Sequence, residues 1–102
     1  MTVFPEQSSH DTLLVALSRQ VAAAIDAQSN QCALNAWRAL IAFPEVFREA
    51  GHLVEGWCVI EEKEQMTLVE HVWCELLGQI VDPSILLLVP ETTPVFYFPG
   101  LT

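Results

Sequence analysis

At Gly51 the spacing of apolar residues along this 102-residue chain changes from helical to alternating, and that change constrains the fold more than any other feature. Before it, Leu13, Leu17, Val21 and Ile25 recur every fourth residue, with Leu14 and Ala24 widening the stripe. This pattern predicts an amphipathic helix from about Ser9 to Ala27. Ser8 and Asp11 have the form of a capping box at its start, and Gln28, Ser29 and Asn30 supply a polar break after it. A second helix is predicted from Asn30 or Gln31 to about Ala42. Asn30 is its expected N-cap, Leu34, Trp37 and Ile41 its apolar positions, and Pro44 discourages continuation beyond Phe43. Residues 45–50, EVFREA, read as a further helical turn stopped by Gly51.

After Gly51 the period is two. In residues 52–60, Val54, Gly56, Cys58 and Ile60 share one face of a strand, and Leu53, Glu55, Trp57 and Val59 the other, so both faces are mostly apolar. EEKEQ (61–65) has the composition of a hairpin loop, residues 66–77 return as a second strand, and Gly78 and Gln79 turn the chain into a third over Ile80 to Asp82. Ile85 to Val89, bounded by Pro83 and Pro90, reads as a buried strand. Val95 to Phe98 reads as another, separated from it by PETTP, whose prolines favour an edge position. Helices followed by strands indicate an α+β fold, with two N-terminal helices packed on a C-terminal antiparallel sheet. The length suits one domain over residues 1–102, with the N-terminal helix in 1–29, the Cys32 helix in 30–51 and the sheet in 52–102.

Charge narrows the partners. The formal net charge is −9, with Arg19, Arg38, Arg48 and Lys63 as the permanent cations, so no basic surface is available to neutralise phosphates. Nucleic acid and anionic membrane are therefore not expected partners, and no apolar run approaches the length of a membrane span. Residues 1–9 lack the features of a secretory signal, so a cytoplasmic location with reduced thiols is expected. Cys32, Cys58 and Cys74 show no CxxC spacing, so neither a disulfide framework nor a zinc ribbon is written here. His71 and Cys74, three apart on a strand, face opposite ways and make a poor zinc pair. No metal or cofactor is expected.

Cys32 falls in the first turn of the second helix, where free backbone N–H groups and the helix dipole favour thiolate over thiol. Thiol chemistry also needs a histidine to move the proton and a group to orient it. His10 precedes the first helix and His52 opens a strand, whereas His71 lies inside a strand that a tight turn brings back beside Asp82. With a two-residue turn, facing positions sum to an odd number, so Asp82 lies opposite an odd-numbered residue such as Trp73, on the face of His71. A three-residue turn without a bulge puts Asp82 on the other face.

CALNAW, HLVEGWCVI, EHVWCELLGQIVDPS and FYFPG together resemble the core of the transglutaminase-like branch of the papain-like cysteine enzymes, in a short form spanning Asn30 to Gly100. The resemblance implies that Cys32 is the nucleophile, His71 the general base and acid, and Asp82 the group that orients the histidine. It implies a thiol-dependent hydrolase or acyltransferase acting on a peptide, amide or acyl substrate. The backbone N–H of Cys32 is the natural first oxyanion donor, and Gln31, Gln28 and Asn35 are candidates for the second.

Plainer readings stand beside these. Cys32 could be a small core residue, His71 a strand histidine bonded to a carbonyl, and Asp82 a turn residue before Pro83, with Glu75 as the acid on the His71 face if Asp82 points away. Cys58 and Cys74, set among apolar neighbours, read as inert core thiols. Trp37, Trp57 and Trp73 suit core packing better than a groove in so short a chain. Phe96, Tyr97 and Phe98 cannot all face inward and suggest a covered sheet edge or a homodimer contact. The alternative function is a non-enzymatic domain of the same fold, or a structural subunit, that binds a protein partner or self-associates.

Overall fold

The computed structural model describes residues 13–48 and 51–100. Helices α1 (Val15–Ile25), α2 (Cys32–Ala42) and α3 (Pro44–Phe47) precede strands β1 (Gly51–Glu62), β2 (Gln65–Leu76) and β3 (Gln79–Val81). The one-turn helix α4 (Ile85–Leu88) and strand β4 (Val95–Pro99) follow. The strands form one antiparallel sheet in the order β3-β2-β1-β4, so the architecture is α+β.

β1 and β2 pair along their full lengths, from Gly51 opposite Leu76 to Glu62 opposite Gln65. The expected five-residue loop is therefore only Lys63 and Glu64. The ladder is made by backbone groups, so it continues through polar residues wherever a two-residue turn keeps the strands in register.

Alternation along the strands gives the sheet two apolar faces, each with its own core. On one, Cys58 and Ile60 of β1, Trp73 of β2, Ile80 of β3 and Val95 and Tyr97 of β4 pack with Leu13, Ile85 and Val89. On the other, Cys74 and Val81 pack with Val21, Ala36, Ala39 and Phe47 from the helices. Fully burying one such side chain contributes about 1.5–3 kcal/mol.

Several expected features differ. Leu13 forms a parallel bridge with Ile80 and the Leu14 N–H donates to the Ile80 carbonyl, so the chain runs along the outer edge of β3 before α1 begins at Val15. The expected capping box at Ser8 and Asp11, and His10, lie outside the described residues. The N-cap of α2 is Gln31, while Asn30 takes a left-handed conformation at φ 61° in the preceding turn. α3 starts at Pro44, whose fixed φ suits the first helical position.

The predicted apolar stripe of α2 faces outward: Leu34, Trp37 and Ile41 are 43%, 53% and 63% exposed, so Trp37 is not a core residue. The buried side is Asn35, Ala36 and Ala39. Small side chains let the helix axis sit close to β2, near enough for the Cys74 thiol to donate to the Ala36 carbonyl at 3.5 Å.

Ile85 to Val89 is not a strand. The Asp82 side chain accepts from the Ser84 and Ile85 N–H groups, as an N-cap does, and the chain winds into α4. Ile85 and Val89, four apart, then reach the same core, while Leu87 and Leu88 stay exposed. No described helix is long and apolar enough to cross a membrane.

Candidate active site

The β2–β3 turn decides where Asp82 goes. Leu77 and Gly78 have φ of 53° and 79°, the left-handed pair of a two-residue turn whose twist matches the strands it joins. Leu76 pairs with Gln79 and Cys74 with Val81, so facing positions sum to an odd number. Extended by one residue, this register sets Asp82 opposite Trp73 and on the His71 face. His71 Nε2 lies 2.7 Å from Asp82 Oδ2, with both side chains buried. Glu75, the alternative acid, lies 3.9 Å from His52 Nε2 instead.

Four donors converge on the Asp82 carboxylate. Oδ1 accepts from the Ser84 N–H at 3.0 Å and the Ile85 N–H at 3.1 Å, while Oδ2 accepts from His71 Nε2 and, at 3.0 Å, from the Tyr97 hydroxyl. An ionised carboxylate is acceptor-only and can take all four. The Asp82 N–H donates to Ser18 Oγ at 2.9 Å, tying the residue to α1 as well. Burial, then the neighbouring Asp82 charge, pushes the Tyr97 hydroxyl well above the ordinary tyrosine value, so it remains a donor.

Because Nε2 faces an acceptor, it carries the proton, and Nδ1 is the nitrogen left for other work. The Trp73 indole stacks beside the imidazole, with ring centroids 6.1 Å apart and planes 21° apart, and meets Tyr97 edge-on at 5.0 Å. The Trp73 Nε1–H has no hydrogen-bond partner among the described residues.

Cys32 is the first residue of α2 and half-buried. Asn35, one turn later, fixes its surroundings. Asn35 Oδ1 accepts from the Gln28 N–H at 3.0 Å, and Nδ2 donates to the Gln28 carbonyl at 2.7 Å and to Ser84 Oγ at 2.8 Å. The loop before Cys32 is thus joined to the segment just after Asp82. Asn35 and Gln28 are committed as donors, the latter to the Asp26 carbonyl at 2.8 Å, whereas Gln31 makes no side-chain capping bond.

Cys32 and His71 together line two cavities. One, of about 310 Å³, is completed by Glu55, Gly56, Trp57, Glu70 and Val72. The other, of about 220 Å³, is completed by Asn30, Val69, Glu70, Ser84 and Leu88. Among the described residues no hydrogen bond joins the Cys32 thiol to the ring; the two groups share walls rather than a bond. Gly56 is required at this wall. A Cβ there would lie 2.9 Å from both Pro99 Cα and Trp73 Cη2, closer than packing allows.

The other thiols are unlike Cys32. Cys58 and Cys74 are fully buried; burial first, and the Asp82 charge second, pushes Cys58 well above the ordinary thiol value of 9.0 and Cys74 up to about 12. Among the described residues no three His, Cys, Asp or Glu side chains gather as a metal site needs.

Sequence reasoning missed Ser18, Ser84 and Tyr97 as the neighbours that hold this site. Tyr97 carried a signal: alternation sets it on the opposite strand face from Phe96 and Phe98, and an inward hydroxyl needs a partner. Ser18 carried none, since it sits in an ordinary helical stretch. Comparison with protein-family models, with curated proteins and with solved structures finds no match to this chain.

Proposed function

We propose that the protein is a small thiol-dependent enzyme of the transglutaminase-like, papain-like kind, a hydrolase or acyltransferase acting on a peptide, amide or acyl group. One observation carries the reading: Cys32 and His71 line the same cavities while the ring's other side is held 2.7 Å from a buried, fully bonded carboxylate.

The Cys32 thiol gives its proton to His71 Nδ1 as Sγ bonds to the carbonyl carbon, and the displaced C=O electron pair becomes an oxyanion. The Cys32 backbone N–H, a first-turn donor, receives that charge, and Gln31, whose amide makes no hydrogen bond among the described residues, is the candidate second donor. Collapse expels the amine or alcohol, which takes the proton from Nδ1 and leaves a thioester on Cys32. Water, or an amine in transfer, attacks next; Nδ1 takes its proton, the C–S bond breaks and Sγ recovers the proton. Asp82 accepts from Nε2 throughout and fixes the tautomer.

The test is 4-nitrophenyl acetate with mass spectrometry of the intact chain. A transient acetyl adduct on Cys32 is expected, lost in Cys32→Ala and formed at least about 100-fold more slowly in His71→Ala. A Cys32→Ala protein that releases nitrophenolate as fast as the wild type overturns the reading.

The exposed stripe of Leu34, Trp37 and Ile41 favours a second reading, a non-enzymatic domain that binds a protein or a second copy of itself. Sedimentation velocity separates the two: self-association kept in Cys32→Ala and lost in Trp37→Ser supports it.

A further inference from the structure

We infer that the Cys32 cleft selects acyl substrates carrying an ammonium or guanidinium group beside the reacting carbonyl, held between Glu55, Glu70 and the ring of Trp57. This deepens the thiol-enzyme reading and rests on it for the chemistry, though not for the charge preference.

The register builds the subsite. Trp57 lies opposite Glu70 and Glu55 opposite Val72, so the two glutamates are diagonal neighbours on one face of the sheet with Trp57 next to both. Diagonal positions of this kind stand about 7–8 Å apart, a gap that one cation fills while touching both carboxylates. The same residues wall the 310 Å³ cavity that holds Cys32 and His71. His71 also lines this cavity, while its side chain alternates to the other face of β2 from Glu70, where it is only 4% exposed and bonded to Asp82.

Among the described residues no ion pair involves Glu55 or Glu70, and no Arg or Lys lines either cavity. Arg19 pairs with Glu91, and Lys63 sits in the distant β1–β2 turn between Glu62 and Glu64. Two like charges side by side repel, and a bound cation relieves that repulsion. The half-buried indole adds a cation–π face, and the net charge of −9 adds a field that attracts cations and repels anions.

The test uses two methanethiosulfonate reagents of opposite charge, trimethylammonium-ethyl and sulfonato-ethyl, on the full chain, with Cys32→Ala as the control. The thiolate displaces methanesulfinate and forms a mixed disulfide, so the readout needs no turnover. The cationic reagent is expected to label Cys32 at least about tenfold faster at low salt than the anionic one, with the ratio falling as salt rises. The Glu55→Gln, Glu70→Gln double variant is expected to bring the ratio near one. Equal rates in the wild type, or an unchanged ratio in the double variant, overturn the inference. A parallel comparison of acetyl-lysine, acetyl-norleucine and acetyl-glutamate 4-nitrophenyl esters is expected to rank kcat/KM in that order. If the charge ratio holds but no ester is turned over, the catalytic reading fails and the cation preference stands.

Discussion

His71 and Asp82, eleven residues apart, meet at 2.7 Å because the turn between their strands contains two residues and not three. Two of the three proposed catalytic residues are therefore local to one hairpin. The third, Cys32, arrives from α2 on a separate tether, the Asn35 amide bonded to Ser84 Oγ, two residues after Asp82. The thiol and the imidazole owe their shared cavity to these two devices.

Removing a donor to Asp82 is expected to destabilise the fold in proportion to what stays unpaired. Tyr97→Phe keeps the ring that packs on Trp73 and deletes one hydrogen bond to a carboxylate, at about 1.5–3 kcal/mol. Asp82→Asn leaves two or more of its four donors facing an amide that must itself donate, and is expected to cost about 3–5 kcal/mol. Urea denaturation measures both. A Tyr97→Phe protein as stable as the wild type would show that the hydroxyl is not tied to the carboxylate.

Thiol accessibility should separate Cys32 from the other two cysteines. Cys32 is half-buried against open cavities, whereas Cys58 and Cys74 are sealed in the two cores and held as thiols. Iodoacetamide at neutral pH is expected to modify one cysteine in the folded protein and all three in denaturant. Peptide mapping that finds Cys58 or Cys74 modified first would contradict the burial on which the site depends.

How much of this was readable in the sequence follows from how local each feature is. The strand period and the candidates His71 and Asp82 depend on residues within one hairpin and were legible, but the sequence leaves open whether the turn between them holds two residues or three, and the observed register decides it. The orientation of α2 was not legible. Its large apolar residues suggested an inward stripe, but which side of a helix is buried depends on how closely the sheet lets it approach, and Ala36 and Ala39 fit where Trp37 cannot. Ile85 to Val89 misled for a related reason: five apolar residues fit a strand or a buried turn equally well, and the Asp82 cap that decides lies just before them. Tyr97 joined the site only through β4 pairing with β1, a contact between distant segments that no local pattern announces.

The β2–β3 turn is open to improvement. Leu77 is 80% exposed and holds a left-handed conformation that a branched side chain adopts at a cost of about 1–2 kcal/mol. Leu77→Asn loses no packing and places the residue most favoured at the first position of such turns, before glycine. It is expected to raise stability by roughly 0.5–1 kcal/mol in urea titrations while leaving the His71–Asp82 pair in register. Gly78→Ala, whose Cβ meets nothing within 4 Å, should still destabilise through its φ of 79° alone. A Leu77→Asn protein weaker than the wild type would mean that the turn is not the left-handed pair.

Stability should fall on the alkaline side, with an onset set by the buried thiols. Cys74 titrates at 9.0 in an ordinary setting and at about 12 here, because burial and then the Asp82 charge oppose the thiolate. Below pH 9.0 both the folded and unfolded chains keep this proton, so its contribution is fully present. Between 9.0 and about 12 the unfolded chain releases the proton while the folded chain retains it, and stability drops by up to about 1.4 kcal/mol per pH unit for each such group. Cys58 adds a second group with the same onset, and Tyr97 a third from its ordinary value of 10.0. Urea midpoints measured under reducing conditions from about pH 7 to about pH 11 are expected to be level with respect to these groups at first and then to fall, more gently in Cys74→Ala, which has one fewer proton to release. A midpoint that stays constant to the alkaline end would place these thiols and the Tyr97 hydroxyl in contact with water, and would remove the sealed sheet faces against which His71 and Asp82 are held.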